Sequence, residues 1–537
     1  MSLSVLACYG AAFALFWAPG CCAARFVCHK RPELSGFAAT VAFAVSCLLG
    51  YVAFWIYRVS PVVGLFFSWI VLCCGLLTLV ILGKYIAPLA SDPLMVASLI
   101  AGAVYLSIHF SGGPEAWDFS KARYFERPRR GDTEIPLNFA LAVIRQHQWL
   151  RIGDPTTWHF SERPPLQTGA VLLLWPLTRL VPVEVFYQCV GTMLQVGWIV
   201  GLGTLLPAIG ASRNQTAITI ALMAASGFVF YNCVYLWPKM LAAGLFLGGV
   251  APVGRALVER RLLLPAETAL SSAAITLALL AHSGIIYSLI ALVFFGFVVL
   301  NTRTMILALV LAATTYAPWY YYQTWVDPNP GRLSKAHLAG LEHELDARGL
   351  VECVEEAYRT TPPSEVLQAK EANFRILLGH PWLDVMMRRI VSGWREGVDR
   401  PVGEHVTISY DPRYLRSDLR SLAVALRIDQ REHVARALGF LNVGWLFLAM
   451  ALLRRRLPRG IGFLLGWTAV TLVLWCLLEF EPSSTITIHA SYAMMLCLFA
   501  PACIGLTYAP RWLAWTVAAG HVAMFASLWI ATVPSVS

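Results

Sequence analysis

Between positions 130 and 166 the chain gathers residue types that can do acid–base and anion chemistry. Arg130, Asp132 and Glu134 stand close together, and Glu162 and Arg163 follow directly ahead of Pro164, Pro165 and Leu166. A carboxylate such as Asp132 can take the proton of an attacking hydroxyl, with Glu134 as a second carboxylate beside it. Arg163 offers a planar fork that fits a phosphate through paired hydrogen bonds. Two consecutive prolines restrict the backbone next to it and would hold that fork in place. A solvated loop carrying ordinary interface anchors has the same residue types, so the spacing alone leaves both readings open.

Other candidates lie further along. Lys239, His282 and His489 interrupt apolar stretches. Ionisable groups in or beside membrane helices are expensive and usually face a cavity or a partner. Either histidine can hydrogen-bond a phosphate oxygen, or simply make a helix–helix contact. Lys239 can contact the same anion or snorkel to an interface. Asp118 and Asp154 are weaker acids, and His337 and His343 fall in a charged stretch that reads as a solvated helix face. Asp132, Glu162 and His159 could give a divalent metal hard oxygen and imidazole ligands. Their spacing does not form a tight ligand set, so the cofactor stays unknown, with a divalent metal open.

These side chains must be positioned by membrane helices. Of the 537 residues, 58% are hydrophobic and 13% charged, and mean hydropathy is +0.63. A soluble domain is nearer a quarter charged, and sustained apolar runs mean spanning helices. The turn-punctuated alternation of a membrane barrel is missing. The net charge of +10 does not argue for nucleic acid, because its basic residues sit at helix ends, as in Arg260, Arg261 and Arg454 to Arg456, where orientation signals belong. The 13 cysteines lie almost all in apolar runs without zinc or disulfide spacing, and read as small core residues. The stretch from Leu3 to Ala18 lacks the basic residues that open a secretory signal, and is expected to be a retained helix.

Fifteen candidate spans run over 3–23, 36–57, 62–82, 94–111, 167–183, 184–208, 216–236, 238–253, 265–283, 284–301, 304–322, 434–453, 460–479, 487–507 and 513–533. Polar segments 112–166 and 323–433 interrupt them. The Lys/Arg bias puts the loops at 24–35, 255–261 and 454–459 in the cytoplasm and both polar segments outside. Parity between the two segments then requires one short span fewer, with 167–183 and 238–253 the shortest, leaving about 14 crossings by this count. Amphipathic stretches at 134–148, 364–378 and 381–394 are expected to be interfacial helices. The expected organisation is N-terminal membrane helices (1–93), a membrane core containing the 112–166 loop (94–322), an external, mostly helical segment (323–433) and C-terminal membrane helices (434–537).

The run from Asp132 through Trp149 to Glu162, Arg163, Pro164, Pro165 and Leu166 resembles the first external loop of GT-C superfamily glycosyltransferases. The branch it resembles contains protein O-mannosyltransferases and the lipid A aminoarabinose transferase. There an acidic residue opens an interfacial helix, and a basic residue with Pro-Pro-Leu opens the next membrane helix. Weaker similarity covers Tyr231 to Ala242, where Lys239 replaces an acidic residue of the family, Leu280 to Gly284 around His282, and His489 to Tyr492. The resemblance spans roughly residues 95–325 and 480–507. The 323–433 segment stands where the family has a large C-terminal external domain.

The resemblance implies an all-α, GT-C-like integral membrane bundle that transfers a hexosyl or pentosyl unit from a polyprenyl-phosphate-linked donor to a glycan, lipid or protein acceptor. It implies Asp132 as base with Glu134 beside it, and Glu162, Arg163, Lys239, His282, His489 and Tyr492 as substrate contacts. It implies cell-envelope glycan synthesis, on the external face of a bacterial inner (plasma) membrane. A flippase, or a polymerase or ligase, for lipid-linked saccharides is the alternative. A flippase should show internal repeats and matched broken helices, and no internal repeat is visible.

Overall fold

The computed structural model describes residues 3–111, 133–145, 159–329, 331–341, 348–378, 437–480 and 491–531. Asp118, Asp132, Asp154, His343, His489 and the 381–394 stretch lie outside them. The described residues form helices and turns with no strand. In lipid, where backbone groups have no water to bind, a helix satisfies them within its own chain.

Seven helices are long and apolar enough to cross a bilayer: Leu3–Lys30, Pro32–Val59, Pro61–Ile81, Val183–Ala208, Lys239–Glu259, Ile461–Leu478 and Arg511–Ile530. Counting each of two bent pairs as one span raises this to nine, and shorter apolar helices add Pro265–Ala281 and Tyr492–Leu506 among others. The chain is therefore a helical membrane protein, but the expected 14 crossings do not follow from helix length and composition among the described residues. The Pro61–Ile81 helix leaves Val62, Phe66, Ile70, Leu76 and Val80 exposed, an apolar face suited to lipid.

Two sequence expectations change in detail. The 167–183 segment is a helix from Leu166 to Leu173 followed by a 3-10 turn, Trp175–Arg179. Eight residues of α-helix rise about 12 Å, well short of a hydrocarbon core of about 30 Å. It is one of the two shortest segments, of which the parity asks that one not cross. The other, 238–253, continues to Glu259 as a helix of 21 residues and is long enough to span.

The helices that frame the site are α1 (Ala38–Val59), α2 (Ile135–Ile144), α3 (Leu166–Leu173), α4 (Val183–Gln195), α5 (Trp198–Ala208), α6 (Gly227–Val234), α7 (Lys239–Glu259), α8 (Pro265–Ala281), α9 (Arg332–Ala339), α10 (Pro363–Leu378), α11 (Ile461–Leu478) and α12 (Tyr492–Leu506). Small residues bring two pairs of them into backbone contact, as membrane interfaces require. A Cβ added to Gly169 of α3 would lie 2.2 Å from the Gly50 carbonyl of α1, and one on Gly201 of α5 would lie 2.0 Å from the Gly244 carbonyl of α7. These contacts seat α3, which follows Arg163, and α7, which begins at Lys239. The amphipathic reading of 134–148 becomes α2, whose Leu137, Phe139, Ala140 and Val143 are buried. Phe139 stacks on Phe160 at 4.3 Å, so this helix packs inside the protein and not flat on its surface.

Candidate functional site

Arg163 and Lys239 approach the same indole. The Lys239 Nζ lies 3.6 Å from the Trp237 ring centroid, and the Arg163 guanidinium carbon lies 5.8 Å from it. Lys239 Nζ also lies 4.8 Å from the Tyr492 ring, and the His282 ring stands 5.9 Å from Trp237. Thus the loop before α3, the turn before α7, the end of α8 and the start of α12 converge, and they bring Arg163, Lys239, His282 and Tyr492 around Trp237. Lys239 is only 3% exposed, so it does not snorkel to water.

A buried amide network sets this geometry. The Gln167 Nε2 on α3 donates to the Leu236 carbonyl (2.9 Å) and the Tyr187 hydroxyl (3.1 Å). Its Oε1 accepts from Gln195 Nε2 at 3.0 Å, and Gln195 Oε1 accepts from the Leu241 amide at 2.9 Å. Gln188 of α4 donates to the Val234 carbonyl at 2.9 Å. The arginine-bearing segment and the lysine-bearing turn are therefore held in register by hydrogen bonds in an apolar interior, where such bonds are strongly specified. The turn itself is tight: the Trp237 amide donates to Tyr235 O at 2.5 Å and the Lys239 amide to Trp237 O at 2.6 Å.

Lys239 is the first residue of α7. A helix N-terminus carries partial positive charge and disfavours a cation. Its placement there, close to Arg163, builds a concentrated positive potential. His282 adds a directional donor. Its Nδ1 accepts from the Gly284 amide at 3.0 Å, which puts the proton of the neutral ring on Nε2. The Tyr492 hydroxyl donates to Asn232 Oδ1 at 2.9 Å, fixing the ring against which Lys239 packs.

Glu162 and His159 have local roles. The His159 amide donates to Glu162 Oε2 at 2.9 Å, and the His159 Nδ1 meets Asp327 Oδ1 at 2.9 Å. The Ser161 amide donates to the other Asp327 oxygen, also at 2.9 Å. Burial pushes the Glu162 carboxyl above the usual carboxylate range, against the opposing pull of the His159 amide, Arg163, the His159 ring and Arg332. No group of three or more His, Cys, Asp or Glu suited to a metal occurs among the described residues, so Glu162 and His159 do not assemble a metal centre there, and Asp132 falls outside them. Glu134 opens α2 and lies near the Tyr187 hydroxyl, which donates to the Thr133 carbonyl at 2.5 Å.

Sequence reasoning missed a further group and misjudged His337. Far from lining a solvated face, His337 is buried, and its Nδ1 meets both Glu479 carboxylate oxygens at 2.8 and 2.9 Å. The Phe480 amide donates to the His337 carbonyl at 2.7 Å, and Asn373 of α10 donates to the Glu479 and Cys476 carbonyls at 2.8 and 3.0 Å. The reason is tertiary: α9 and α10 clamp the end of α11, which the charge pattern of α9 alone does not reveal. The readable signals were glutamines inside apolar runs and a tryptophan beside a lysine.

The fold and this cluster define a helical membrane protein with a buried, cationic, aromatic-walled site. Compared with known protein families, curated proteins and solved structures, the chain matches none of them.

Proposed function

We propose that the protein is a membrane glycosyltransferase that moves a sugar from a polyprenyl-phosphate-linked donor to an acceptor hydroxyl on the external face of a cell membrane. The observation that carries the reading is the convergence of Arg163 and Lys239 on Trp237, beside the Nε2–H of His282. Two buried cations and a neutral donor suit the phosphate of a lipid carrier. They also suit the moment of reaction, when charge grows on the leaving group and fixed donors lower the barrier most. The loop resemblance supplies the reaction type. The acceptor oxygen attacks the anomeric carbon, Asp132 takes its proton, and the carbon–oxygen bond to phosphate breaks, so that polyprenyl phosphate leaves with the electron pair. The acceptor is a glycan, lipid or protein.

Purified protein in nanodiscs tests this. Asp132→Asn keeps shape but removes the base, and should slow transfer by ~10²–10⁴-fold with donor affinity unchanged. Arg163→Ala should weaken binding of polyprenyl phosphate by at least ~10-fold, since a charge-assisted hydrogen bond is lost. Arg163→Lys should keep part of it. Equal affinity in wild type and Arg163→Ala would remove the phosphate site. Movement of a lipid-linked saccharide across the bilayer without any new glycoside would make the protein a flippase. For the orientation, a cysteine at exposed Ser364 should react with an impermeant thiol reagent in intact cells and one at Arg454 should not. The reverse pattern would invert the topology.

A further inference from the structure

We propose that the basic end of the helix bundle binds an anionic phospholipid, with an acyl chain in an apolar slot and the headgroup phosphate on Lys30 and Arg31. The slot is a cavity of about 390 Å³ where four elements meet. The N-terminal helix Leu3–Lys30 brings Val27, the turn Pro32–Phe37 brings Leu34, α1 brings Val41, and α8 brings Ala269 and Leu270. Arg31 is the charged residue of the lining. Ligand sites of this kind run to about 300–1,000 Å³ and combine apolar walls with a few placed polar groups.

The slot lies at the opposite end of the bundle from Trp237. Helix α7 starts at Lys239 and ends at Glu259, and its 21 residues rise about 30 Å. Its Arg255, one turn from the end, reaches the turn that lines the slot, with the guanidinium carbon 5.8 Å from the Phe37 ring. A phosphate here is therefore not the one that Arg163 and Lys239 would hold.

Charge and apolar surface together select the ligand. The cations that close α7 are matched by acids of the protein itself. Arg255 pairs with Glu259 at 2.9 Å, and Arg261 pairs with Glu259 and with the buried Glu267 at 2.6 Å each. Lys30 and Arg31 are exposed, and among the described residues neither has an ion pair. Glu33 is the acid nearest to them in sequence, and Arg25, Lys30 and Arg31 outnumber it. Apolar residues of the same connections are exposed as well: Phe26 by 61%, Leu262 by 48% and Leu264, which directly precedes the slot's Pro265, by 42%. Such surface suits acyl chains and not water. Basic pockets between membrane helices take acidic lipid headgroups in this way. A soluble anion has no chain for the slot, and a neutral apolar molecule leaves the cations unmatched. A zwitterionic lipid carries its own cation beside the phosphate, so the anionic lipid gains most.

The test places the whole chain in phosphatidylcholine vesicles, with spin-labelled phosphatidylglycerol or spin-labelled phosphatidylcholine as the probe. Electron spin resonance reads the label that the protein immobilises. Wild type should hold phosphatidylglycerol more tightly than phosphatidylcholine. One Lys or Arg near the headgroups changes affinity by about 5-fold. The exposed-site variant K30Q/R31Q should thus lose about 10-fold or more of the phosphatidylglycerol affinity, and K30R/R31K should keep it. A269W fills the slot and should lower that affinity with the cations still present. A thermal melt accompanies each variant, and A269L replaces A269W if the larger side chain unfolds the protein. Arg163→Ala should leave the lipid preference as it is, which separates this site from the phosphate site proposed above. The proposal is overturned by a wild type with no preference, by a preference that survives K30Q/R31Q or a filled slot, or by one that disappears in K30R/R31K or Arg163→Ala. Wild-type dimers that A269W separates, without any lipid preference, would put a second copy in the slot and overturn it too.

Discussion

The Lys239 ammonium packs 3.6 Å from the centre of the Trp237 ring, while Arg163 approaches the same ring at 5.8 Å. One side chain thereby sets the spacing of two cations. Desolvated cation–π contacts are worth roughly 0.5–2 kcal/mol. Trp237→Leu should remove both contacts and lower lipid-phosphate affinity by about 10-fold, with Trp237→Phe intermediate. Isothermal titration with a polyprenyl phosphate measures this. An unchanged affinity in Trp237→Leu would mean that the indole does not organise the cations.

The register of those cations depends on Gln167 and Gln195, which bond to each other at 3.0 Å and to backbone groups on either side of the lysine turn. Removing one partner strands buried polar groups, at about 1–3 kcal/mol. Gln195→Leu and Gln167→Leu should each lower the melting temperature and weaken phosphate binding. Because they share one network, the double variant should lose less than the sum of the singles. Strict additivity in a double-mutant cycle would show that the two glutamines act separately.

Much of this was legible in the sequence, and the reasons for the misses are physical. Lys239 and His282 stood out because a charged or polar group in an apolar run is expensive, whereas Arg163 stood out by the Pro-Pro-Leu that follows it and Tyr492 only through the resemblance. The helical membrane class followed from composition. Which segments cross did not, because length discriminates poorly near the limit: 167–183 breaks after Leu173, whereas 238–253 runs on to Glu259. The basic residues of α9 escaped notice because a polar helix beside a polar loop has the pattern of a solvated surface. Only the contact with Glu479 at the distant end of α11 shows that His337 is buried.

Glu162 supplies a pH-dependent signature. Burial raises its folded pKa above the unfolded value, with the His159 amide, Arg163, the His159 ring and Arg332 pulling less strongly downward. The folded state thus prefers the protonated form. That contribution to stability is fully present below the unfolded pKa of about 4.3, and is lost as pH rises through the higher folded value. Glu162→Gln imitates the protonated carboxyl at every pH. Its melting temperature should exceed that of wild type near neutrality, and the gap should close toward about pH 4. A wild type more stable than Glu162→Gln at neutral pH would mean that the neighbouring cations outweigh burial.

The pairing of His337 with Glu479 fixes α9 to the end of α11, and its energetics can be separated from its position. Replacing only the histidine, as in His337→Leu, leaves a buried carboxylate without the imidazole that faces it. Removing one partner of a buried pair typically costs about 3–5 kcal/mol, whereas replacing both with apolar groups is often close to neutral. Single variants His337→Leu and Glu479→Leu should therefore melt earlier than wild type and be cleaved faster by thermolysin in the α9–α10 segment. The double variant should recover most of the loss, because Asn373 still bonds the main-chain carbonyls of residues 476 and 479. A double variant as labile as the singles would show that the His337–Glu479 hydrogen bond is needed as such, and singles as resistant as wild type would show that other contacts hold α9.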